Sequence, residues 1–146
     1  MNKPSNPKDL VGVLKVPMST VSAPVLAEIA LGMLEGACKY GRHNYRMLGV
    51  RSSVYYDAAM RHLMAWWEGQ DIDPGSGLHH VTKAITSLVV LRDAMIHNMC
   101  DDDRPPSLGV DFIDTLNKQA ATVIEKYKKA NPKHYTIKDK ARGGKA

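Results

Sequence analysis

The sequence predicts an all-α fold, a helical bundle of three core helices plus a C-terminal amphipathic helix. Three observations indicate this class. Apolar residues recur at helical spacing in four segments, no segment of useful length alternates as a β-strand does, and glycine- or proline-rich breaks separate the segments. Three core helices alone make a thin core, so we expect the fourth helix or a second subunit to cover an apolar face.

The first helix follows twenty residues that are rich in proline and lysine and that we expect to be extended. It begins at Ser22, whose hydroxyl is placed to cap it ahead of a proline, and it ends at Gly41. Glu28 and Glu35 are seven residues apart in this helix and therefore share a face. A glycine directly follows Glu35, and a helical glycine often marks the close approach of another group.

A basic loop over residues 42–51 leads to the second helix, which Ser52 or Ser53 caps and which runs to Gly69. A turn-rich loop then precedes the third helix, over residues 78–99. The third helix is strongly apolar, and such a helix favours a homo-oligomer.

The fourth helix covers residues 110–129 and is amphipathic. We therefore divide the chain into a helical domain at 1–100, a linker and C-terminal helix at 101–132, and a basic tail at 133–146. Nucleic-acid contact through the tail is an alternative to a solvated tail, but no aromatic interleaving or binding motif accompanies its charges.

Composition excludes several classes of protein. No apolar run is long enough to cross a membrane, and the N-terminus lacks the apolar segment of a signal peptide, so we expect a cytoplasmic protein with no membrane partner. Cys38 and Cys100 have no metal-ligand spacing and are expected to be free thiols. There is no His-Glu-x-x-His, His-Asp, Walker or Rossmann glycine motif.

Acids and bases cluster near the ends of the predicted helices. The twelve residues from Glu35 to Arg46 hold one carboxylate, four potential cations and an amide. Further acids and histidines follow in the second helix, the turn-rich loop and the start of the third helix. Hard divalent cations take carboxylate oxygens, and phosphate oxygens bind Arg, Lys and helix N-termini. The pattern therefore predicts a metal–phosphate site.

Each candidate also has a structural interpretation. Asp57 is placed to stabilise the helix dipole and to pair with Arg61. Asp73 is placed to make a turn, and its loop resembles a calcium loop without the terminal glutamate. His62 fits a core histidine bonded to a carbonyl. His79 and His80 point about 100° apart on a helix, so at most one of them enters a shared site.

Five short motifs follow one another along the chain: Lys39-Tyr-Gly-x-x-Asn44, Arg61-His62, Trp66, Gly69-x-Asp71-x-Asp73 and Ser76-Gly77-x-x-His80. In their order and spacing, and with the opening Asn6-Pro-Lys-Asp9, residues 6–99 resemble the N-terminal domain family of phage-encoded dATP/dGTP diphosphohydrolases. The family is linked to the all-α MazG-like nucleotide pyrophosphohydrolases. The resemblance implies a helical oligomer in the host cytoplasm. It also implies that carboxylates hold Mg²⁺ or Mn²⁺ against a nucleoside triphosphate, and that water cleaves the bond between the α- and β-phosphates.

The chain departs from this pattern at three places. The Glu-Glu-x-x-Glu motif of the MazG-like enzymes is absent, Gln70 stands where family members often have Glu, and Lys83 stands where many have a second histidine. These departures affect the prediction of catalysis more than the prediction of nucleotide binding.

Our first hypothesis is therefore an enzyme that hydrolyses purine deoxynucleoside triphosphates with Mg²⁺ or Mn²⁺. Its metal ligands are four acids, Glu35, Asp57, Glu68 and Asp73. Its catalytic residues are Glu35 and His80. Its substrate-binding residues are Lys39, Arg42, Asn44, Tyr45, Arg46, Arg61 and Lys83. The second hypothesis is a module that binds or sequesters a nucleotide or nucleotide-derived signal without cleaving it. The third is a nucleic-acid accessory protein that acts through residues 126–145.

Overall fold

The computed structural model describes residues 6–109 and 111–140, and within them the all-α fold is confirmed. The described ranges contain six α-helices, one short 3-10 helix and two strands of two residues each. The chain divides into two compact units at residues 102 and 103, and each unit is described by itself.

The N-terminal segment contains a helix where we expected extended chain. Helix α1 spans Pro7–Gly12, and the 3-10 helix spans Met18–Thr20. The side chain of Asn6 accepts a hydrogen bond from the Lys8 amide at 3.0 Å, and a proline occupies the first turn. An Asn cap followed by proline is a strong helix start, which explains why the expectation was wrong here.

Helix α2 spans Ala23–Tyr40, and its predicted ends at Ser22 and Gly41 are confirmed. Gly41 has a φ of 90°, a conformation that glycine adopts without steric cost. The Ser22 hydroxyl makes no capping hydrogen bond, so that part of the prediction was wrong.

The basic segment after α2 is not wholly a loop. Helix α3 spans Asn44–Met47, and strand β1 spans Val50–Arg51. His43, with a φ of 60°, reverses the chain before α3. A helix of four residues is too short to show a periodic pattern, which is why the sequence did not predict it.

Helix α4 spans Ser52–Trp67 and helix α5 spans His80–Ile96. The N-cap residue of α4 is Arg51 rather than either predicted serine, and the Ser52 hydroxyl lies 3.1 Å from the sulfur of Cys100. α5 begins at His80 rather than at residue 78, because the His79 Nδ1 atom accepts from the Val81 amide at 3.1 Å and so caps the helix.

Strand β2 spans Cys100–Asp101 and pairs in parallel with β1. Val50 lies opposite Cys100, so the pair ties the segment before α4 to the segment after α5. Cys38 and Cys100 are both free thiols.

Helix α5 forms the centre of the first unit because it packs against both α2 and α4. Its buried residues are mostly small, among them Ala84 and Ala94. No large side chain of the described residues is fully buried, and many apolar side chains of α2 and α4 are exposed, including Leu31, Leu34 and Trp67. The core is as thin as the sequence predicts, and the expectation of a homo-oligomer stays a prediction.

The spacing of α2 against α5 is set by a glycine, though not the one after Glu35. A β-carbon at position 36 would meet nothing within 4 Å, so the close approach expected there was wrong. Gly32 is buried, and a β-carbon on it would lie 2.5 Å from the Thr86 hydroxyl oxygen. The two helices therefore meet at Gly32.

The second unit contains helix α6, Phe112–Lys126, which lies inside the predicted 110–129. None of its residues is buried, and its apolar side chains, such as Leu116 and Val123, are about half exposed. The last six residues of the predicted basic tail lie outside the described residues. No helix in the described ranges is long and apolar enough to cross a membrane.

Candidate functional site

A groove of about 980 Å³ lies in the first unit over helix α5, with α2 and α4 along its sides. It exists because both flanking helices pack on α5 while making at most marginal contact with each other. Its wall is mostly apolar, with Met33, Tyr55 and Val90 among the lining side chains. Its charged, histidine and amide lining residues are Glu35, Lys39, Arg42, His43, Asn44, His62 and Lys83, and Tyr45 also lines it.

Three charged residues form a compact cluster on one side of the groove. Glu35 of α2 accepts hydrogen bonds from Lys39, one turn later on the same helix, and from Lys83 of α5. The side chains of Glu35 and Lys83 are only 20% and 18% exposed, so this pair is largely shielded from water. The two lysines lower the pKa of the Glu35 carboxyl, and Glu35 raises the pKa of Lys39. The cluster carries one net positive charge.

A second cluster joins three separate elements. His62 of α4 and His80, the first residue of α5, place their Nδ1 atoms 2.8 Å apart, and the other ring nitrogen of His80 lies 3.1 Å from the Gln70 Oε1 atom. Asp73, in the loop between α4 and α5, completes the group: one ligand atom from each of His62, Asp73 and His80 lies within 4.8 Å of the others. We call this group the His–Asp cluster.

The loop that carries Asp73 is held at several points. Asp73 Oδ2 accepts hydrogen bonds from the amide and hydroxyl of Ser76, at 3.0 and 2.5 Å. The Asp73 amide donates to the carbonyl of Leu78, and the His80 amide donates to the carbonyl of Asp71, each at 2.8 Å. Because these hydrogen bonds hold the loop at both ends, Asp73 has a fixed position beside the two histidines.

The electrostatics of the His–Asp cluster favour neutral imidazole and ionised carboxylate. Burial lowers the pKa of His62, an effect that Asp73 partly offsets. The hydrogen bond from the Ser76 hydroxyl, with amide bonds from Ser76 and Gly75, lowers the pKa of Asp73. At neutral pH the cluster therefore holds a neutral His62 imidazole and a charged Asp73 carboxylate, which are forms that bind a cation.

The four acids predicted to share a metal ion are not brought together by the described chain. Only Asp73 belongs to the His–Asp cluster, and Glu35 is engaged with lysines in the groove. Asp57 and Glu68 are exposed, and in the described part of the chain Asp57 forms no ion pair with Arg61. Glu28, which shares a face with Glu35 as predicted, accepts a hydrogen bond from Thr82 Oγ1 at 2.6 Å.

The predicted substrate-binding residues divide into two groups. Five of them line the groove, namely Lys39, Arg42, Asn44, Tyr45 and Lys83. Arg61 is exposed on α4 and is not among the lining residues. Arg46 is not among them either, because its guanidinium binds both carboxylate oxygens of Asp93 on α5, at 2.7 and 2.8 Å.

Sequence reasoning missed the roles of His62 and Gln70. The sequence offers a core position bonded to a carbonyl as one interpretation of His62, whereas His62 contacts His80 and also lines the groove. Gln70 was noted only as the loss of an acid, whereas its side chain orients the His80 ring. The Arg61-His62 motif was the available signal, but eighteen residues separate the two histidines, and no local spacing predicts their contact.

The fold and the site define a small helical domain with a cation-lined groove beside a histidine–carboxylate cluster. The chain belongs to the family described as dATP/dGTP diphosphohydrolase, N-terminal, whose model matches residues 5–104, so the resemblance drawn from its motifs is confirmed. The chain is 30% identical over 96 residues to a protein of Salmonella phage PMBT28 named dATP/dGTP diphosphohydrolase. The match covers 66% of this chain but only 32% of that relative, so the chain spans about a third of the relative's length. No solved structure matches the chain.

Proposed function

We propose that this chain binds a purine deoxynucleoside triphosphate in the groove and hydrolyses it to the monophosphate and pyrophosphate. The observation that carries the proposal is the set of cationic side chains on the groove, in a domain whose family is named for dATP/dGTP diphosphohydrolases. The phage relative's name supports the same substrate class.

The phosphates would bind at the charged side of the groove. Lys39 and Lys83 share one carboxylate there, so they retain a net positive charge for a polyanion. Arg42 also lines the groove, is exposed, and forms no ion pair with any residue the structure describes. Lys and Arg groups placed around phosphate oxygens stabilise both the bound polyphosphate and the charge that develops during transfer.

The nucleoside would occupy the more apolar part of the groove. Tyr55 and Met33 offer apolar surface there, and Asn44 offers an amide that can both donate and accept hydrogen bonds. Tyr45 is buried, and its hydroxyl lies 3.4 Å from the His43 Nδ1 atom, which holds that side of the groove in place.

Hydrolysis needs an activated water near the phosphates. His62 lines the groove and contacts His80, so the His–Asp cluster borders the proposed substrate site. In the ion-free protein, a neutral imidazole at this border can accept a proton from an attacking water. The Mg²⁺ that the family resemblance implies fits this site poorly, because the described acids do not form the oxygen-rich ligand set that Mg²⁺ prefers.

The proposal is tested by incubating the chain with dATP or dGTP, with Mg²⁺ or Mn²⁺, and separating the products by chromatography. We expect equal amounts of monophosphate and pyrophosphate. Lys39→Ala should reduce kcat/KM by about tenfold or more, since one charged contact to phosphate is lost. Lys118→Ala, a matched change on α6, should leave it unaltered. Failure to release monophosphate from either nucleotide with both metals would reject the proposal.

A second candidate function is nucleotide binding without cleavage. It is favoured by the failure of Glu35, Asp57 and Glu68 to join Asp73 in one ligand group, and by Gln70 at a position where the family often has an acid. This function predicts that dATP raises the melting temperature in the presence of EDTA and is recovered intact. Metal-dependent turnover would exclude it.

A further inference from the structure

We propose that the His–Asp cluster binds one divalent transition-metal ion, of the class of Mn²⁺, Fe²⁺, Co²⁺ or Zn²⁺, in preference to Mg²⁺. The ligands would be one ring nitrogen each from His62 and His80 and one carboxylate oxygen from Asp73. The ion's part in hydrolysis rests on the proposed function, whereas its binding does not.

The first argument is the orientation of His80. This histidine is only 4% exposed, and its Nε2 atom lies 3.1 Å from the Gln70 Oε1 atom, which is an acceptor. The Nε2 atom therefore carries the ring proton, and the Nδ1 atom has a lone pair. A hydrogen bond that fixes the remote ring nitrogen of a histidine in this way is the usual support of a metal-binding imidazole.

The second argument is what the lone pair of His80 faces. The nearest ring atom is the Nδ1 of His62, at 2.8 Å, in a part-buried environment. Two nitrogen lone pairs at this distance repel each other unless a proton or a cation lies between them. A metal ion would replace that proton, while His62 carries its proton on the other ring nitrogen.

The distance between the two histidine nitrogens suits one ion after a small adjustment. Two nitrogens about 2.1 Å from one metal, at angles between octahedral and tetrahedral, lie about 3.0–3.4 Å apart. The rings would therefore separate by about 0.2–0.6 Å, which small side-chain rotations allow. Asp73 is already fixed by Ser76, and a hydrogen-bonded carboxylate is typical of a metal ligand.

The donor set selects the class of ion. Two imidazole nitrogens and one carboxylate suit first-row transition metals, and this combination leaves coordination positions open. Mg²⁺ prefers oxygen ligands in near-ideal octahedral geometry and is seldom held by imidazole. Because His62 also lines the groove, an ion in the cluster would present its open positions beside the proposed phosphate site.

Metal-free protein should be titrated with Co²⁺, followed by visible absorption, and with Mn²⁺, followed by electron paramagnetic resonance, each in an excess of Mg²⁺. We expect one ion per chain, retained against the excess. His62→Gln and Asp73→Asn should each weaken binding by tenfold or more. The asparagine can still accept the Ser76 hydrogen bonds, so this variant keeps the loop folded. The matched changes His97→Gln and Asp71→Asn should bind the ion normally.

Failure to bind Co²⁺ or Mn²⁺, displacement of the ion by equimolar Mg²⁺, or unchanged affinity in Asp73→Asn would overturn the proposal. A parallel nucleotide assay separates it from the proposed function. Ion binding without cleavage of dATP or dGTP would support the metal-site proposal and overturn the proposed hydrolase function. Cleavage with Mg²⁺ but no binding of Co²⁺ or Mn²⁺ would support the proposed hydrolase function and overturn the metal-site proposal.

Discussion

Gly32 of α2 faces Thr86 of α5 so closely that a β-carbon at position 32 would lie 2.5 Å from the threonine hydroxyl oxygen. The hydroxyl is itself held, because it donates to the carbonyl of Thr82 at 2.8 Å. This contact fixes how near α2 approaches α5, and therefore how Glu28 and Glu35 reach their partners on α5.

Gly32→Ala should destabilise the fold by about 1–3 kcal/mol, because the added methyl group forces the two helices apart. Gly36→Ala is the matched control: the β-carbon meets nothing within 4 Å, and alanine stabilises a helix interior by up to about 1 kcal/mol over glycine. Chemical denaturation measures both. Adding Thr86→Ala to Gly32→Ala should restore part of the loss, and no restoration would show that the steric explanation is wrong.

Glu35→Gln should cost about 1–2 kcal/mol near neutral pH, since it leaves the shielded Lys83 without its charged partner. The pKa of Glu35 in the folded protein is lowered from 4.5. The stability that Glu35 gives the fold is therefore present above pH 4.5 and is lost as the pH falls through the pKa of the folded protein. The difference in melting temperature between native protein and Glu35→Gln should therefore be constant around neutral pH and shrink in acid. A difference that stays constant below pH 4.5 would contradict this account.

Arg46→Lys tests whether Arg46 is structural or binds substrate. Lysine cannot reproduce the two parallel bonds to Asp93, so we expect a small drop in the melting temperature. Because the arginine does not line the groove, KM for dATP should change by less than about twofold. A large rise in KM with normal stability would instead support the substrate-binding role predicted from the sequence.

Gly36→Leu tests whether the groove is the nucleotide site. The position opens onto the groove with space for a side chain, so leucine should fill part of it and weaken binding of a non-hydrolysable dATP analogue by about tenfold. Calorimetry measures the affinity, and thermal unfolding checks that the variant is folded. Gly12→Leu, at an equally open glycine of α1 outside the groove, serves as the control. Unchanged affinity in Gly36→Leu would place the nucleotide elsewhere.

Much of the fold could be predicted because helices leave a local signature. The ends of α2 at Ser22 and Gly41 followed from capping residues and glycine, and the class followed from the 3.6-residue spacing of apolar side chains. The elements that the sequence did not predict are too short to show a helical or strand periodicity. α1 and α3 have six and four residues, and β1 and β2 have two each.

The candidate site was only partly predictable, because it depends on contacts between distant residues. The sequence pointed to Glu35, Lys39 and Asn44 through one compact stretch, and all three line the groove. It also grouped Asp57 and Glu68 with them, as acids near the two ends of the second helix. The rotation of α4 decides that outcome: it turns His62 toward α5 and leaves the two acids exposed.

By itself the sequence determined that this chain is helical, where its long helices lie and which family its motifs belong to, because periodicity, caps and motif order are local properties of the chain. Only the tertiary structure decided that His62, Asp73 and His80 meet, and that the Glu35 carboxylate binds Lys83. The physical reason is that these contacts depend on the rotation of the helices, on the close approach at Gly32 and on a loop held by hydrogen bonds. All three are set by packing between residues that are far apart in the sequence.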